Sequence, residues 1–130
     1  MGFHHQHRVR YSECDMQNVV FNAHYMAFCD DAVDSWFRTE FADGFEQHGW
    51  DFMLKRATLE WQSPARLRET IDMDVAITRW GTTSFDIGIV GTVEQRAVFT
   101  ATLTNVGVRP GTLEPIAPPP YVRARLDGAV

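Results

Sequence analysis

The stretch ECDMQNVVFNAHY, residues 13–25, joins an acidic segment to the start of a helix through a short apolar run. Glu13 and Asp15 flank a cysteine, and Val19-Val20-Phe21 follows after two polar residues. Surface loops seldom place two valines and a phenylalanine between a carboxylate and a helix start. We therefore expect the apolar run to lie in the core and to fix Asp15 relative to the helix.

One long helix is predicted from Ala23 to Phe41. Apolar residues recur there every three or four positions, which gives one apolar stripe. The stripe contains Met26, Cys29, Val33, Trp36 or Phe37, and Phe41, and it is widened by Tyr25, Phe28 and Ala32. A stripe this wide indicates a helix surrounded by the rest of the domain. Asn22 is the expected N-cap, because its side chain can accept a hydrogen bond from a free amide of the first turn.

The remainder of the chain has the two-residue period of β-strands. Residues 3–12 form the expected first strand. After a connection over residues 42–51, alternation predicts strands at 57–62, 71–78, 85–89 and 96–108, with a turn at 80–83 and a bulge near 104–105. A proline-rich tail over 115–130 ends the sheet, with a short helical turn expected at 121–126. One strand, one long helix and four strands in a meander favour an α+β domain over residues 1–130, in which one antiparallel sheet wraps around one helix.

Composition excludes several classes of function. The net charge of -5 argues against a non-specific nucleic-acid binder, which carries a basic stripe. No apolar run approaches the roughly 20 residues of a membrane span, and the N-terminus lacks the apolar core of a signal peptide. Cys14 and Cys29 form neither a CxxC motif nor a disulfide framework, so we expect a cytoplasmic protein. His4, His5 and His7 lack partners at ligand-like spacing, so no metal site is expected.

The order of elements and the opening stretch together resemble the hot-dog fold, and within it the 4-hydroxybenzoyl-CoA thioesterase-like family. The most specific part is Asp15 with Val20, Asn22 and Tyr25, which is similar to the family's pattern of an acid, a short loop, a valine and a polar or aromatic residue entering the helix. Weaker similarities lie at 61–65, at 79–84 and in the tail. Gln17-Asn18 departs from the small residue and glycine that often follow the acid, but asparagine tolerates a left-handed backbone.

The resemblance implies an acyl-CoA thioesterase with no cofactor. Asp15 would be the catalytic carboxylate, acting as general base or as nucleophile, and the backbone amide of Asn22 would form the oxyanion hole. Three alternatives stay open. Asp15 could be a structural acid at the helix start, the substrate could be an acyl-carrier-protein thioester, or the chain could be a non-catalytic acyl-CoA-binding module.

The resemblance also implies where substrate binds and how the chain assembles. Expected substrate-binding residues are His24, Tyr25, Arg79, Thr83 and Ser84, with Arg66 and Arg68 as further candidates for the phosphates of CoA. An open sheet edge invites pairing, and the family joins two sheets edge to edge. A homodimer or homotetramer with sites at the interface is therefore expected, with no nucleic-acid or membrane partner. The sequence does not identify the acyl group.

Overall fold

The computed structural model describes residues 2–128, which form a five-stranded antiparallel sheet and two helices. The elements are β1 (Phe3–Arg8), α1 (His24–Glu40), β2 (Asp51–Trp61), β3 (Thr70–Trp80), β4 (Ser84–Val93), β5 (Arg96–Val108) and α2 (Pro120–Leu126). Short 3-10 turns cover Tyr11–Glu13 and Phe45–His48. The sheet wraps around α1, so the predicted α+β hot-dog architecture is confirmed.

The strand order corrects one part of the prediction. Strands lie in the order β1-β3-β4-β5-β2, so only β3, β4 and β5 form a meander. β2 pairs with β5 at the far edge, from Asp51 opposite Val108 to Trp61 opposite Phe99. The predicted four-strand meander was therefore wrong, because β2 pairs with β5 and not with β3, the strand that follows it in the chain. Its position leaves β1 and β2 as the two edges.

The helix α1 forms the centre of the core. Seven of its residues are buried: Tyr25, Phe28, Cys29, Ala32, Val33, Trp36 and Phe37. They pack on the sheet face made by side chains such as Ile71, Met73, Ile87 and Phe99, which are fully buried. Burying one large apolar side chain contributes about 1.5–3 kcal/mol, so this face supplies most of the driving force that holds α1 in place.

Several element boundaries differ from the sequence prediction for local reasons. β1 ends at Arg8 rather than near residue 12, because the chain turns there into a 3-10 segment. α1 begins at His24, and the N-cap position is taken by Ala23, which makes no side-chain cap bond. The prediction of Asn22 as N-cap was wrong.

The predicted irregularity in β5 is present, but on the neighbouring strand. The register between β2 and β5 shifts between Leu54 and Arg56, opposite Asn105 and Thr104. The extra residue in β2 disturbs the alternation over the first half of that strand. Because of this disturbance, alternation predicted the strand only from residue 57, six residues after its start at Asp51.

The two ends of the sheet differ in the connections that they carry. At the loop end, β1 and β2 finish and β3 begins; at the hairpin end, β3 turns into β4. α2 packs at the hairpin end, where Trp80 Nε1 donates to Asp127 at 2.8 Å and Arg125 donates to the Glu40 carbonyl at 3.0 Å. Neither helix within residues 2–128 is long and apolar enough to cross a membrane.

Candidate functional site

Residues 13–21 form a small antiparallel ribbon at the loop end of the sheet. The Asp15 amide donates to the Val19 carbonyl at 2.9 Å, and the Asn18 amide donates to the Asp15 carbonyl at 3.0 Å. Asn18 takes a left-handed backbone with φ of 63°. Asparagine accepts this conformation more readily than most residues, so the turn forms without the glycine that often stands there in the resembled family.

The Asp15 carboxylate lies at the tip of this ribbon and is exposed. Its Oδ1 atom accepts a hydrogen bond from the Gln17 amide at 2.8 Å, which fixes the orientation of the carboxylate. Its Oδ2 atom has no hydrogen-bond donor among residues 2–128. The carboxylate is thus bonded within its own turn, not to α1, and one oxygen stays available.

The start of α1 leaves two backbone amides without acceptors. The His24 amide donates to the Phe21 carbonyl at 2.9 Å, and the Tyr25 amide donates to the Asn22 carbonyl at 3.3 Å. Within the part of the chain that the structure describes, the amides of Asn22 and Ala23 have no acceptor. Unpaired first-turn amides and the helix dipole favour a negatively charged oxygen at this point.

A relay of hydrogen bonds connects the ribbon to α1 and to the rest of the sheet. The Val20 amide donates to the Ala65 carbonyl at 2.9 Å, and the Ala65 amide donates to the Tyr25 hydroxyl at 3.2 Å. Tyr25 is 1% exposed, and burial raises the pKa of its phenol. Arg96 holds the same loop, because its Nη2 atom donates to both carboxylate oxygens of Glu69, at 2.9 and 3.0 Å. Tyr25 therefore acts as an anchor for the ribbon.

Glu13 is the buried acid of the ribbon, with 5% of its surface exposed. Its carboxylate accepts hydrogen bonds from His7 Nε2 at 2.8 Å, from the Arg10 amide at 2.8 Å and from the Arg10 guanidinium at 2.9 and 3.2 Å. Burial alone would raise the pKa of Glu13, but these bonds outweigh it and hold the pKa below its ordinary value. The sequence analysis did not identify these partners of Glu13.

The start of α1 separates two cavities. The first, here called the Asn22 pocket, measures about 240 Å³ and lies toward β2. It is lined by Val19, Val20, Asn22, Tyr25, Trp61, Gln62, Ser63 and Pro64. The second, called the His24 groove, measures about 1030 Å³ and lies toward β1, with His7, Glu13, His24 and Phe28 among its walls. Asn22 and Tyr25 therefore share a pocket, whereas His24 faces the other cavity.

The predicted CoA-binding hairpin lies at the opposite end of the sheet within one protomer. Arg79 lies nine residues along β3 from its first residue, Thr70, which is about 30 Å of extended strand. Its guanidinium donates to Asp86 at 2.9 Å and to Ser84 at 3.1 Å. The Thr83 carbonyl accepts the Gly107 amide at 2.7 Å. The structure therefore does not bring Arg79, Thr83 and Ser84 together with Asp15.

Two further arginines lie closer to the ribbon. Arg66 pairs with Val19 in a single bridge, and its amide donates to Glu69 at 2.7 Å. Arg68 takes a left-handed backbone with φ of 69° and lines the His24 groove. Both side chains are exposed. These secondary candidates are thus nearer in the fold to Asp15 than the hairpin residues.

Comparison with known proteins identifies the family and the fold of the chain. The family model described as the thioesterase-like superfamily matches residues 9–126. A thioesterase-superfamily protein from Jannaschia sp. CCS1 superposes with a TM-score of 0.89 at 22% identity, over 98% of this chain and 92% of that one. A 1,4-dihydroxy-2-naphthoyl-CoA thioesterase from Synechocystis superposes with a TM-score of 0.81 at 16% identity, over 95% of this chain and 94% of that one.

A third similar structure was solved with a bound ligand. A hypothetical protein from Staphylococcus aureus, solved in complex with CoA, superposes with a TM-score of 0.85 at 16% identity. The match covers 96% of this chain and 81% of that one. No curated protein matches the sequence significantly. At these identities the solved structures establish the shared fold.

Proposed function

Because this chain belongs to the thioesterase-like superfamily, we propose that it is an acyl-CoA thioesterase, which hydrolyses a thioester to a free acid and CoA. The observation that carries the proposal is the pair of unpaired amides at Asn22 and Ala23 on the same ribbon-to-helix segment as the exposed Asp15 carboxylate. Hydrolysis of a thioester requires these two elements, a site for a developing oxyanion and a group that promotes attack on the carbonyl carbon.

The unpaired amides would stabilise the transition state. When the carbonyl carbon is attacked, negative charge develops on the thioester oxygen, and the Asn22 amide would donate a hydrogen bond to it. The helix dipole adds to this effect. Loss of one such donor typically costs about 100- to 1,000-fold in rate.

Asp15 would promote the attack in one of two ways. As a general base it takes a proton from water, the water oxygen bonds to the carbonyl carbon, and the carbon–sulfur bond breaks. The departing thiolate then takes up a proton to give CoA. As a nucleophile it forms a mixed anhydride with release of the thiolate, and water then hydrolyses the anhydride. Either route uses the Asp15 oxygen that has no partner among the described residues.

The remaining candidate residues have separate roles in this proposal. Tyr25 holds the ribbon and lines the Asn22 pocket, and His24 lines the groove on the other side of the helix start. Arg79, with Thr83 and Ser84, would bind CoA phosphates only when a second protomer brings its hairpin end to the loop end of the first. The proposed active form is therefore a homodimer or homotetramer.

The proposed reaction uses no cofactor. Water, the Asp15 carboxylate and backbone amides supply all of its chemistry. The two free thiols, Cys14 and Cys29, are consistent with the reducing conditions of the cytoplasm, where we propose that the protein acts. A carrier-protein thioester is the alternative substrate, but an acidic carrier would need a basic rim, which the net charge of -5 disfavours.

The proposal is tested by free-thiol release from a panel of short-chain, long-chain, branched and aromatic acyl-CoAs. We expect turnover of at least one class by the wild type and a loss of about 100- to 10,000-fold in kcat for Asp15→Asn, because an amide neither accepts the proton nor attacks the carbonyl. The amide oxygen can still accept the Gln17 bond, so the ribbon should keep its shape.

Asp31→Asn is the matched control, since it makes the same change to an exposed acid on α1 that is bonded to His5. Wild-type turnover by Asp15→Asn would overturn the catalytic assignment. Saturable acyl-CoA binding without turnover by the wild type would instead indicate a non-catalytic binding module.

A further inference from the structure

A third cavity lies between α1 and the β2 edge, on the same flank as the Asn22 pocket. It measures about 300 Å³, and we call it the Asp30 pocket. Its apolar walls are Val33, Phe37, Phe52, Leu54 and Leu103, and its polar lining residues are Asp30, Asp34 and Asn105. This volume and this mixture of apolar walls with a few polar groups are typical of small-molecule sites.

The geometry of α1 aligns the two pockets. Met26, Asp30, Val33 and Phe37 recur at helical spacing and so lie on one face of the helix. Asp30 is eight residues beyond Asn22, which is about 12 Å along the helix axis. By their positions along α1 and β2, Met26 and Leu59 fall between the residues that line the two pockets, and both side chains are only partly buried. A chain that starts at the Asn22 amide would reach the Asp30 pocket if it ran along this seam.

Two polar groups of the Asp30 pocket offer free hydrogen-bond acceptors, the Asp30 carboxylate and the Asn105 side-chain oxygen. Asn105 is 3% exposed; its Nδ2 atom donates to the Leu103 carbonyl at 3.1 Å, and its Oδ1 atom has no donor among residues 2–128. Asp30 is exposed and has no cationic partner in the same part of the chain, and its partial burial raises the pKa of its carboxyl. Asp34 is already bonded to Arg38 at 2.8 Å. The Asn105 oxygen is therefore free to accept a hydrogen bond from a ligand or from water.

We propose that the Asp30 pocket binds the far end of the acyl group and selects acyl chains that end in a hydroxyl or an amine over those that end in a carboxylate. The inference rests on the proposed thioesterase function and adds a substrate class to it. A terminal hydroxyl or ammonium donates to Asp30 and to Asn105 Oδ1, while the methylenes behind it contact the apolar walls. A terminal carboxylate has nothing to donate and would be repelled by Asp30.

The test compares four thioesters with the same chain length: octanoyl-CoA, 8-hydroxyoctanoyl-CoA, 8-aminooctanoyl-CoA and the mono-CoA thioester of octanedioic acid. For the wild type we expect kcat/KM to be at least about 10-fold higher for the hydroxy and amino substrates than for the carboxylate-ended one, which is the size of effect that an unpaired polar group produces. In Asp30→Asn the new amide can donate to a carboxylate, so the preference should fall to about 3-fold or less.

Asp31→Asn is again the control, because it makes the same change one residue along α1 but on the face toward β1, where Asp31 bonds to His5. It should keep the wild-type preference. Equal kcat/KM for the hydroxy- and carboxylate-ended substrates in the wild type would overturn the proposal. So would an unchanged preference in Asp30→Asn.

A direct binding experiment separates failure of this proposal from failure of the thioesterase assignment. The isotope-labelled full chain is titrated with 1-octanol, octylamine and octanoate, and the side-chain amide signal of Asn105 is followed by NMR. Shifts with 1-octanol and octylamine, but not with octanoate, would support the pocket even if no thioester were cleaved. Equal shifts with octanoate would overturn it. An Asn105 signal that responded to none of the three compounds would overturn it too.

Discussion

At the scale of single residues, the ribbon contains two acids in opposite environments. Glu13 is buried and accepts bonds from His7 and Arg10, whereas Asp15 is exposed and accepts one bond from Gln17. The sequence places both acids beside one cysteine and does not distinguish them by itself. The Arg10–Glu13 spacing is a local signal that points to Glu13 as the paired acid. The contact with His7 depends on where β1 ends, which local pattern did not predict.

The Glu13 network predicts a stability effect that depends on pH. Glu13→Gln should lower the free energy of unfolding by about 1–3 kcal/mol at pH 7, because a hydrogen-bonded charge in a buried site is lost. The pKa of Glu13 is lowered by folding. Its contribution is therefore complete above the pKa of an unfolded glutamate, about 4.3, and disappears as pH falls through the lower folded-state pKa.

Urea unfolding at pH 7 and pH 3 measures this effect. The stability difference between wild type and Glu13→Gln should shrink at the lower pH. Glu60→Gln, at an exposed position of β2, is the control and should change stability little at either pH. A difference of equal size at both pH values would contradict the assignment of the lowered pKa to Glu13.

At the scale of elements, α1 explains why neighbouring site residues separate. Consecutive helical residues point about 100° apart, so Tyr25 faces the core and the Asn22 pocket while His24 faces the groove toward β1. The apolar period predicted the helix and its buried face well. It did not predict the cavities, because each is closed by strands and loops that are distant in sequence.

Strand pairing, like the cavities, could not be predicted from local sequence pattern. Alternation found β3, β4 and β5 because each is half buried along its length. It did not place β2 beside β5, since pairing partners follow from how the chain crosses α1 and not from the pattern of one strand. The first half of β2, near Leu54, also escaped detection, because most of its residues are exposed on an open edge.

The anchoring of the ribbon through Tyr25 predicts an effect on both stability and local motion. Tyr25→Phe removes the hydroxyl that accepts the Ala65 amide, and Ala65 is fully buried. An unpaired buried amide should cost about 1–3 kcal/mol. Hydrogen exchange should become faster at the amides of Ala65 and Val20, which adjoin this bond. Tyr11→Phe, at an 84% exposed position, is the control. Unchanged exchange at Ala65 would exclude Tyr25 as the anchor.

At the scale of the whole molecule, one protomer leaves the β2 edge open and exposes large apolar side chains there. Met53 is 49% exposed and Leu54 is 46% exposed, next to an unpaired strand edge. Such an edge pairs readily with a second copy. This matters for the proposed site, because Asp15 and Arg79 lie at opposite ends of the same sheet and can serve one substrate only across two chains.

Complementation between two defective chains tests this shared site. Alone, Asp15→Asn should lack turnover, and Arg79→Ala should show a raised KM for CoA thioesters with little change for pantetheine thioesters, which lack the nucleotide phosphates. In a mixed dimer, one of the two sites combines the intact Asp15 of one chain with the intact Arg79 of the other. Co-expressed, differently tagged chains should therefore show turnover at the wild-type KM in about half of the sites, a property that neither parent has.

If the mixed dimer instead kept the raised KM of Arg79→Ala, both residues would act within one chain. If Arg79→Ala raised the KM for both kinds of thioester equally, Arg79 would have no role in phosphate binding.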